Sequence, residues 1–238
     1  LTAYAQAKRK LFLVPGLCYA AINHDDAFGR ELLAELARPI VGVRYGLDEE
    51  VLQADGARYV HGAIVRRDLA GMELHIRSSW GEGRLHTALL GQFNASNLLA
   101  VLSMLLLMEL PFADALARLA HLRAVPGRME RFGGGAQPLV IVDYAHTPDA
   151  LKQVLQTLRA HCDGRLWCVF GCGGDRDRGK RALMGAAAEH YADHVIVTSD
   201  NPRHEEPQAI IDQILTGVDQ AGAVERITDR AQALRRAV

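Results

Sequence analysis

The sequence predicts an α/β fold with a mainly parallel sheet in its second half. Beyond residue 138, apolar runs of strand length alternate with segments of helical periodicity, as in βαβ units. One of these runs, 166–170, stops at glycines and is followed at once by alternating acids and arginines. Another, 195–199, ends in Asp-Asn-Pro-Arg. Because ligands of open α/β sheets bind at the carboxyl ends of the strands, we expect the chemistry at these two loops.

Length and composition set limits on the function. With 238 residues the chain is long enough for two domains, and its 49% hydrophobic and 23% charged residues are ordinary for a globular protein. The net charge of −1 provides no field that would attract a nucleic acid or a membrane surface, so we expect neither as a partner. Basic residues do cluster at 175–181, but the interleaved aspartates and the missing aromatic platform favour a small multivalent anion.

Targeting signals are missing from the sequence. The four cysteines lack a zinc spacing and nothing marks secretion, so we expect free thiols and a cytoplasmic protein. The apolar run from Leu98 to Met108 is about half of what a bilayer span needs and predicts a buried helix. Since the chain does not begin with Met, we expect a fragment whose natural start lies upstream.

Periodicity predicts the following elements in chain order. In the first half the predicted helices are 3–13, 28–36, 94–109 and 112–121. Residues 19–22 predict a strand, and short alternating stretches between glycines predict β-hairpins from 41 to 90. Pro126-Gly127 and the glycines at 133–135 predict a nearby domain junction. The second half is predicted as strand 139–142, helix 148–160, strand 166–170, helix 180–191, strand 195–198 and helix 207–216.

Two glycine-rich nucleotide motifs are nearly but not fully present. Gly174-x-x-x-x-Gly179-Lys180 resembles a P-loop, but Arg181 stands where that motif needs a hydroxyl for magnesium. A dinucleotide fingerprint also fails, because Gly171-x-Gly173 lacks the third glycine, which disfavours a Rossmann oxidoreductase. A solvated set of surface ion pairs is the alternative interpretation of the charged residues 175–178.

Four ordered motifs resemble those of the Mur ligase family. They are VPGRME at 125–130, VDYAHTPDAL at 142–151, VFGCGGDRD with GKR at 169–181, and SDNPR at 199–203. The resemblance extends from Tyr4 to Ala231 and therefore covers nearly the whole chain. It implies part of a central ATPase-type α/β domain, residues 1–123. A truncated Rossmann-like C-terminal domain that binds the amino acid, residues 124–238, would follow.

The resemblance also implies an activity. Mur ligases use ATP and Mg²⁺ to convert a carboxylate into an acyl phosphate, which an amine then attacks. The motifs are most similar to those of members that add meso-diaminopimelate to UDP-N-acetylmuramoyl-L-alanyl-D-glutamate during peptidoglycan precursor synthesis. This implies that the UDP-N-acetylmuramoyl dipeptide and meso-diaminopimelate are the partners of a cytoplasmic monomer.

The resemblance assigns roles to residues in both halves. Lys8 falls where the family carries a carbamylated lysine, which implies a catalytic, Mg²⁺-binding residue; the alternative is an ordinary lysine on an amphipathic helix. Asn94 and Asn97 match residues that face ATP, and a helix cap is the alternative for Asn94. Arg128 and Asp143 match further ATP contacts, and His146 lies close to them.

Within the resemblance, the Asp-Asn-Pro-Arg string indicates which amino acid is the substrate. Arg176, Asp200, Asn201, Pro202 and Arg203 match the diaminopimelate site of these ligases. The match is chemically reasonable, because diaminopimelate differs from lysine by one carboxylate and arginine binds a carboxylate bidentately. An exposed Pro-Arg turn at a strand end is the alternative.

The chain also departs from the family pattern. It lacks the Gly-rich P-loop, the metal-binding Glu and His segment, the N-terminal domain and the Gly-Lys-Gly-His-Glu motif, so we expect this polypeptide alone to be inactive. Two alternatives stay open. One is a folylpolyglutamate synthase-like ligase, and the other is a non-catalytic module that binds a nucleotide or an amino acid.

Overall fold

The computed structural model describes residues 2–37, 39–53, 57–219 and 224–238. The chain divides into two compact units, Leu1–Arg123 and Ala124–Val238.

The first unit is built on a five-stranded sheet. Its strands, in the order in which they pair, are β1 (Tyr19–Asn23), β2 (Val41–Gly46), β3 (Arg58–Asp68), β4 (Gly71–Ser78) and β5 (Gly81–Thr87). Its helices are α1 (Thr2–Arg9), α2 (Ala27–Glu35), α3 (Gln92–Leu107) and α4 (Phe112–Ala120), and a 3₁₀ helix, Lys10–Leu13, extends α1. The predicted continuous helix 3–13 therefore changes pitch after Arg9.

The sheet of the first unit is mixed. Strands β1, β2 and β3 run parallel, and β3, β4 and β5 form an antiparallel meander. The prediction of hairpins from residue 41 onward was therefore right for β3 to β5 and wrong for β2. Helix α2 crosses over between β1 and β2, and such a crossover makes a parallel pair. The short alternating pattern of β2 does not by itself distinguish the two arrangements.

Helix α3 supplies much of the core of this unit. Leu98, Leu99, Leu102 and Leu106 are buried and pack in one cluster with residues of β3, β4 and β5. The opposite face carries Val101 and Met104, which are 42% and 45% exposed, so α3 buries one face and exposes the other. Within the described ranges, no helix combines the length and apolar character that a bilayer crossing requires.

The second unit contains a parallel sheet and a separate hairpin. The sheet pairs β8 (Trp167–Phe170), β9 (His194–Val197) and β10 (Val224–Arg226) in the order β10-β9-β8. Its helices are α5 (Pro148–Arg159), α6 (Gly179–Tyr191), α7 (Pro207–Leu215) and α8 (Arg230–Ala237). Thr147 caps α5 by accepting a hydrogen bond from the Ala150 backbone N–H.

The hairpin corrects one expectation. Residues 139–142 do form a strand, β7 (Leu139–Val142), but its described ladder is antiparallel to β6 (Glu130–Gly133) rather than part of the parallel sheet. The glycines at 133–135 all have positive φ, and the Gly134 N–H donates to the Pro138 carbonyl oxygen. This tight turn pairs β7 with the strand before it.

The parallel register determines where the two polar loops emerge. Phe170 at the end of β8 lies opposite Val197 at the end of β9. The loops 171–178 and 198–206 therefore leave the sheet side by side at its carboxyl edge.

Candidate functional site

A cleft of about 670 Å³ lies within the second unit. This volume is in the range of small-molecule sites. Its polar lining comes from Asp143 to His146 after β7, from Gly171, Gly173, Arg176 and Lys180, from Asp200, Asn201 and Arg203 after β9, and from Arg230. Its apolar lining comes from Leu151, Leu155 and Leu158 of α5 and from residues of β8. The cleft thus offers both charged and apolar groups to a small molecule.

The loops after β8 and β9 touch through glycines. The Gly174 N–H donates to the Asn201 carbonyl oxygen over 2.8 Å. A Cβ at Gly174 would lie only 1.8 Å from the Pro202 carbonyl oxygen, and one at Gly171 would lie 2.3 Å from that of Thr198. These two glycines are needed because backbone passes against backbone.

We expect Gly174→Ala to lower the free energy of unfolding by about 1–3 kcal/mol, because the methyl group must push the two loops apart. Urea denaturation of this chain measures the effect. Gly164→Ala is the matched control, since a Cβ there would make an ordinary 3.5 Å contact with the Cys162 sulfur. Equal unfolding midpoints for the two variants would contradict the steric argument.

The two predicted carboxylate-binding arginines lie in the same cleft. A Cβ placed on Gly173 would lie 2.9 Å from Arg203 Nη1 and 3.9 Å from Arg176 Cγ. Arg203 has a φ of +51° and donates from Nη1 to the Gly174 carbonyl oxygen. Both side chains are exposed, so their guanidinium groups are accessible to an anion in the cleft.

The other three residues assigned to diaminopimelate differ in position. Asp200 and Asn201 line the cleft and are exposed. Pro202 is absent from the described residues that line it. Its carbonyl oxygen instead accepts the Glu205 backbone N–H. Pro202 therefore helps to set the shape of the loop.

The charged run 175–178 divides between loop contacts and the cleft. Asp175 pairs with the His204 ring at 2.7 Å, and this hydrogen bond lowers the pKa of the Asp175 carboxyl. Asp177 accepts the Gly179 backbone N–H, and Arg178 lies 3.3 Å from Glu205. Arg176 is the member of the run that lines the cleft. The alternative of surface ion pairs therefore describes Asp175 and Arg178 but not Arg176.

A buried ion pair between Arg181 and Glu205 was missed by the sequence analysis. Arg181 is 0% exposed and binds Glu205 bidentately, with N–O distances of 2.9 and 2.8 Å. This hydrogen bonding is the main cause that lowers the pKa of Glu205 to about 2, so its carboxylate is charged at neutral pH. A Lys-Arg pair in the first turn of a helix gives no signal of burial, because the partner Glu205 lies far along the chain.

Two candidate ATP residues of this unit, Asp143 and His146, lie in the loop after β7. Asp143 accepts backbone N–H groups from Met129 and Ala145, each over 2.9 Å. His146 Nδ1 lies 3.0 Å from the Tyr144 carbonyl oxygen, and the Lys180 ammonium donates to the His146 carbonyl oxygen over 2.7 Å. Asp143 therefore orders this loop whatever else it binds.

Arg128 lies beside this loop. Its guanidinium is 4.7 Å from the centroid of the exposed Tyr144 ring, and Arg128 is itself exposed. Among the described cleft-lining residues it does not appear. The stacked guanidinium keeps N–H donors that could bind phosphate oxygens.

Lys8, Asn94 and Asn97 belong to the first unit. The exposed Lys8 ammonium lies 5.3 Å from the Tyr4 ring centroid. The helix-cap alternative for Asn94 is wrong, because α3 begins at Gln92 and Gly91 is its N-cap. Asn94 instead donates to the Leu90 carbonyl oxygen over 2.8 Å and accepts from Asn97 over 3.5 Å. In the part of the chain that the structure describes, no three His, Cys, Asp or Glu residues form a metal cluster.

Comparison with known families matches both halves of the chain. Residues 1–105 match the Mur ligase middle domain, and residues 127–238 match the Mur ligase glutamate ligase domain. The boundary between the two matches lies between residues 105 and 127.

Individual relatives are similar over the whole chain. A protein of Ralstonia nicotianae is 49% identical over 100% of this chain and 47% of its own length. A protein of Coxiella burnetii is 48% identical over 99% of this chain and 48% of its own length. Both are named UDP-N-acetylmuramoyl-L-alanyl-D-glutamate–2,6-diaminopimelate ligase.

A solved structure of a ligase with that name superimposes with a TM-score of 0.70 at 38% identity. The superposition covers 99% of this chain and 48% of the other. The chain therefore spans about half the length of the relatives that it matches.

Proposed function

This chain belongs to the Mur ligase family, and we propose that it supplies the middle and C-terminal domains of a MurE-type ligase. The ligase adds meso-diaminopimelate to UDP-N-acetylmuramoyl-L-alanyl-D-glutamate in an ATP-dependent step of peptidoglycan precursor synthesis. The names of relatives at 48–49% identity support this substrate pair. We place the reaction in the cytoplasm, with a monomeric enzyme, as part of the same proposal.

One observation supports the amino-acid substrate most directly: the guanidinium groups of Arg176 and Arg203 lie in one cleft with Asn201 and Asp200. Diaminopimelate carries a carboxylate and an ammonium at each end. Arginine forks match carboxylate oxygens, and a carboxylate and an amide suit an ammonium. Lysine lacks the carboxylate at one end and would leave these arginines without their anion, and a site built for a polar group rejects a ligand that lacks it.

The proposed chemistry needs the substrate amine near an activated carboxyl group. The attacking nitrogen first loses its ammonium proton to water. It then bonds to the carbonyl carbon of the acyl phosphate, the bond from that carbon to the phosphate oxygen breaks to release phosphate, and the nitrogen loses a second proton to water. Arg176 and Arg203 hold one end of the amino acid so that its other end can reach the acyl group. Such positioning makes the attack effectively unimolecular.

ATP and Mg²⁺ are also part of the proposal. Mg²⁺ prefers hard oxygen ligands, so the Lys8 ammonium does not fit it, whereas a carbamate on the exposed Lys8 nitrogen would. Bound Mg²⁺ would offset the charge of the transferring phosphoryl group. We assign the ATP contacts to Asn94, Asn97, Arg128, Asp143 and His146, whose amide, guanidinium, carboxylate and imidazole groups suit an adenosine phosphate.

The test uses the full-length ligase, by which we mean a polypeptide of the relatives' length that contains these residues as its two domains. We expect phosphate release from ATP only when both the UDP-muramoyl dipeptide and meso-diaminopimelate are present. Release with a folate and glutamate would favour a folylpolyglutamate synthase-like ligase. Nucleotide binding without release under any of these conditions would favour a non-catalytic module. The 238-residue chain by itself is expected to release no phosphate.

A further inference from the structure

The buried pair of Arg181 and Glu205 connects four segments of the second unit. Arg181 lies in the first turn of α6, and its Nη1 donates to Gln213 of α7 over 2.6 Å. Its Nη2 reaches the Gly173 carbonyl oxygen, 3.3 Å away, in the loop after β8. Glu205 belongs to the loop after β9 and accepts the Asp175 backbone N–H over 2.7 Å. The pair therefore ties both polar loops to both helices.

This pair is connected through the backbone to the two arginines of the cleft. Arg176 follows Asp175, whose N–H is held by Glu205, and Arg203 precedes Glu205 by two residues. Asp175 and Arg203 both have a φ of +51°, a conformation that non-glycine residues adopt only when their surroundings hold it. The pair thus holds the residue before Arg176 and includes the residue two positions after Arg203.

A contribution to stability does not explain well why this pair is buried. Removing two charges from water costs free energy that their attraction repays only in part, and apolar residues of similar volume often stabilise a protein at least as well. The Arg181 side chain is 0% exposed and that of Glu205 only 12%, so both carry this cost. A bidentate ion pair fixes the geometry between the loops, whereas an apolar contact does not.

We propose that the Glu205–Arg181 pair is a positioning device that sets the distance between Arg176 and Arg203 and so controls affinity for the dicarboxylic amino acid. The inference rests on the proposed function, because it takes these two arginines as the carboxylate-binding groups. Neither Glu205 nor Arg181 is among the described residues that line the cleft, so the two act through the loops that they hold.

The test is Glu205→Gln in the full-length ligase, which keeps the side-chain shape and removes its charge. We expect the KM for meso-diaminopimelate to rise about fivefold or more, with kcat and the KM values for ATP and the UDP-dipeptide within about twofold. A merely structural role would instead reduce the active fraction of enzyme, which lowers kcat and leaves every KM unchanged. Glu225→Gln is the matched control, because Glu225 binds Arg236 bidentately. Neither of those two is among the described residues that line the cleft.

A second variant decides the proposal if Glu205→Gln does not fold. Gln213→Met removes one contact to the Arg181 guanidinium and leaves both charges, so the same rise in KM for diaminopimelate is expected at smaller size. An unchanged KM for diaminopimelate in the folded variants would overturn the positioning role. If Arg203→Ala also left this KM unchanged, the proposed function would be wrong as well. If only Arg203→Ala raised it, the positioning device alone would be wrong.

Discussion

Arg203→Ala in the full-length ligase is expected to raise the KM for meso-diaminopimelate by about 10- to 150-fold, since a hydrogen bond to a charged group contributes about 1.5–3 kcal/mol. The reason is the loss of one of two guanidinium groups in the cleft. Arg203→Lys should give an intermediate KM, because lysine keeps the charge but cannot bind a carboxylate with a planar fork. Steady-state kinetics with varied diaminopimelate measures both.

Two controls separate binding from loop structure. Arg203 also donates to the Gly174 carbonyl oxygen, so urea denaturation of the variants must show that the loops remain folded. Arg226→Ala removes an exposed arginine of the same unit that does not belong to the described lining of the cleft, and it should leave KM unchanged. A KM for diaminopimelate that is the same in Arg203→Ala, Arg226→Ala and the unmodified enzyme would remove Arg203 from the site.

The position of the cleft could be read from local sequence because the signals are local. The runs 166–170 and 195–198 are apolar, β-rich and bounded by polar residues, and the strands observed are 167–170 and 194–197. Parallel strands place their carboxyl ends at one edge, so Arg176 and Arg203 could be expected together. The structure places both in one cleft, and their binding roles remain predictions.

The features that the sequence did not predict depend on contacts between residues far apart in the chain. Nothing in the sequence near Arg181 indicates that this residue is buried or that it pairs with a carboxylate 24 residues later, so this pair was not found. The strand 139–142 was recognised by its apolar run, but its pairing with β6 depends on a glycine turn rather than on the strand's own residues. Asn94 precedes an apolar run as a cap would, yet α3 starts two residues earlier at Gln92. Local patterns predict elements well and their partners poorly.

Lys8→Ala in the full-length ligase is expected to lower kcat by about 100-fold or more, on the scale of losing one group that stabilises transition-state charge. The physical reason is charge sign: the proposed carbamate on Lys8 is negative and suits Mg²⁺, whereas alanine offers no oxygen. Lys8→Glu should restore part of the activity, because a carboxylate supplies negative oxygens of the same kind, although on a side chain three atoms shorter than a carbamylated lysine. Lys8→Arg should stay inactive, since it keeps the cation.

The matched control is Lys10→Ala, which removes an exposed lysine two residues later and should leave the enzyme fully active. Mass spectrometry of the gently handled protein should detect one added carbon dioxide that Lys8→Ala lacks. If the alanine, glutamate and arginine variants all kept the activity of the unmodified enzyme, Lys8 would be an ordinary helix-surface lysine.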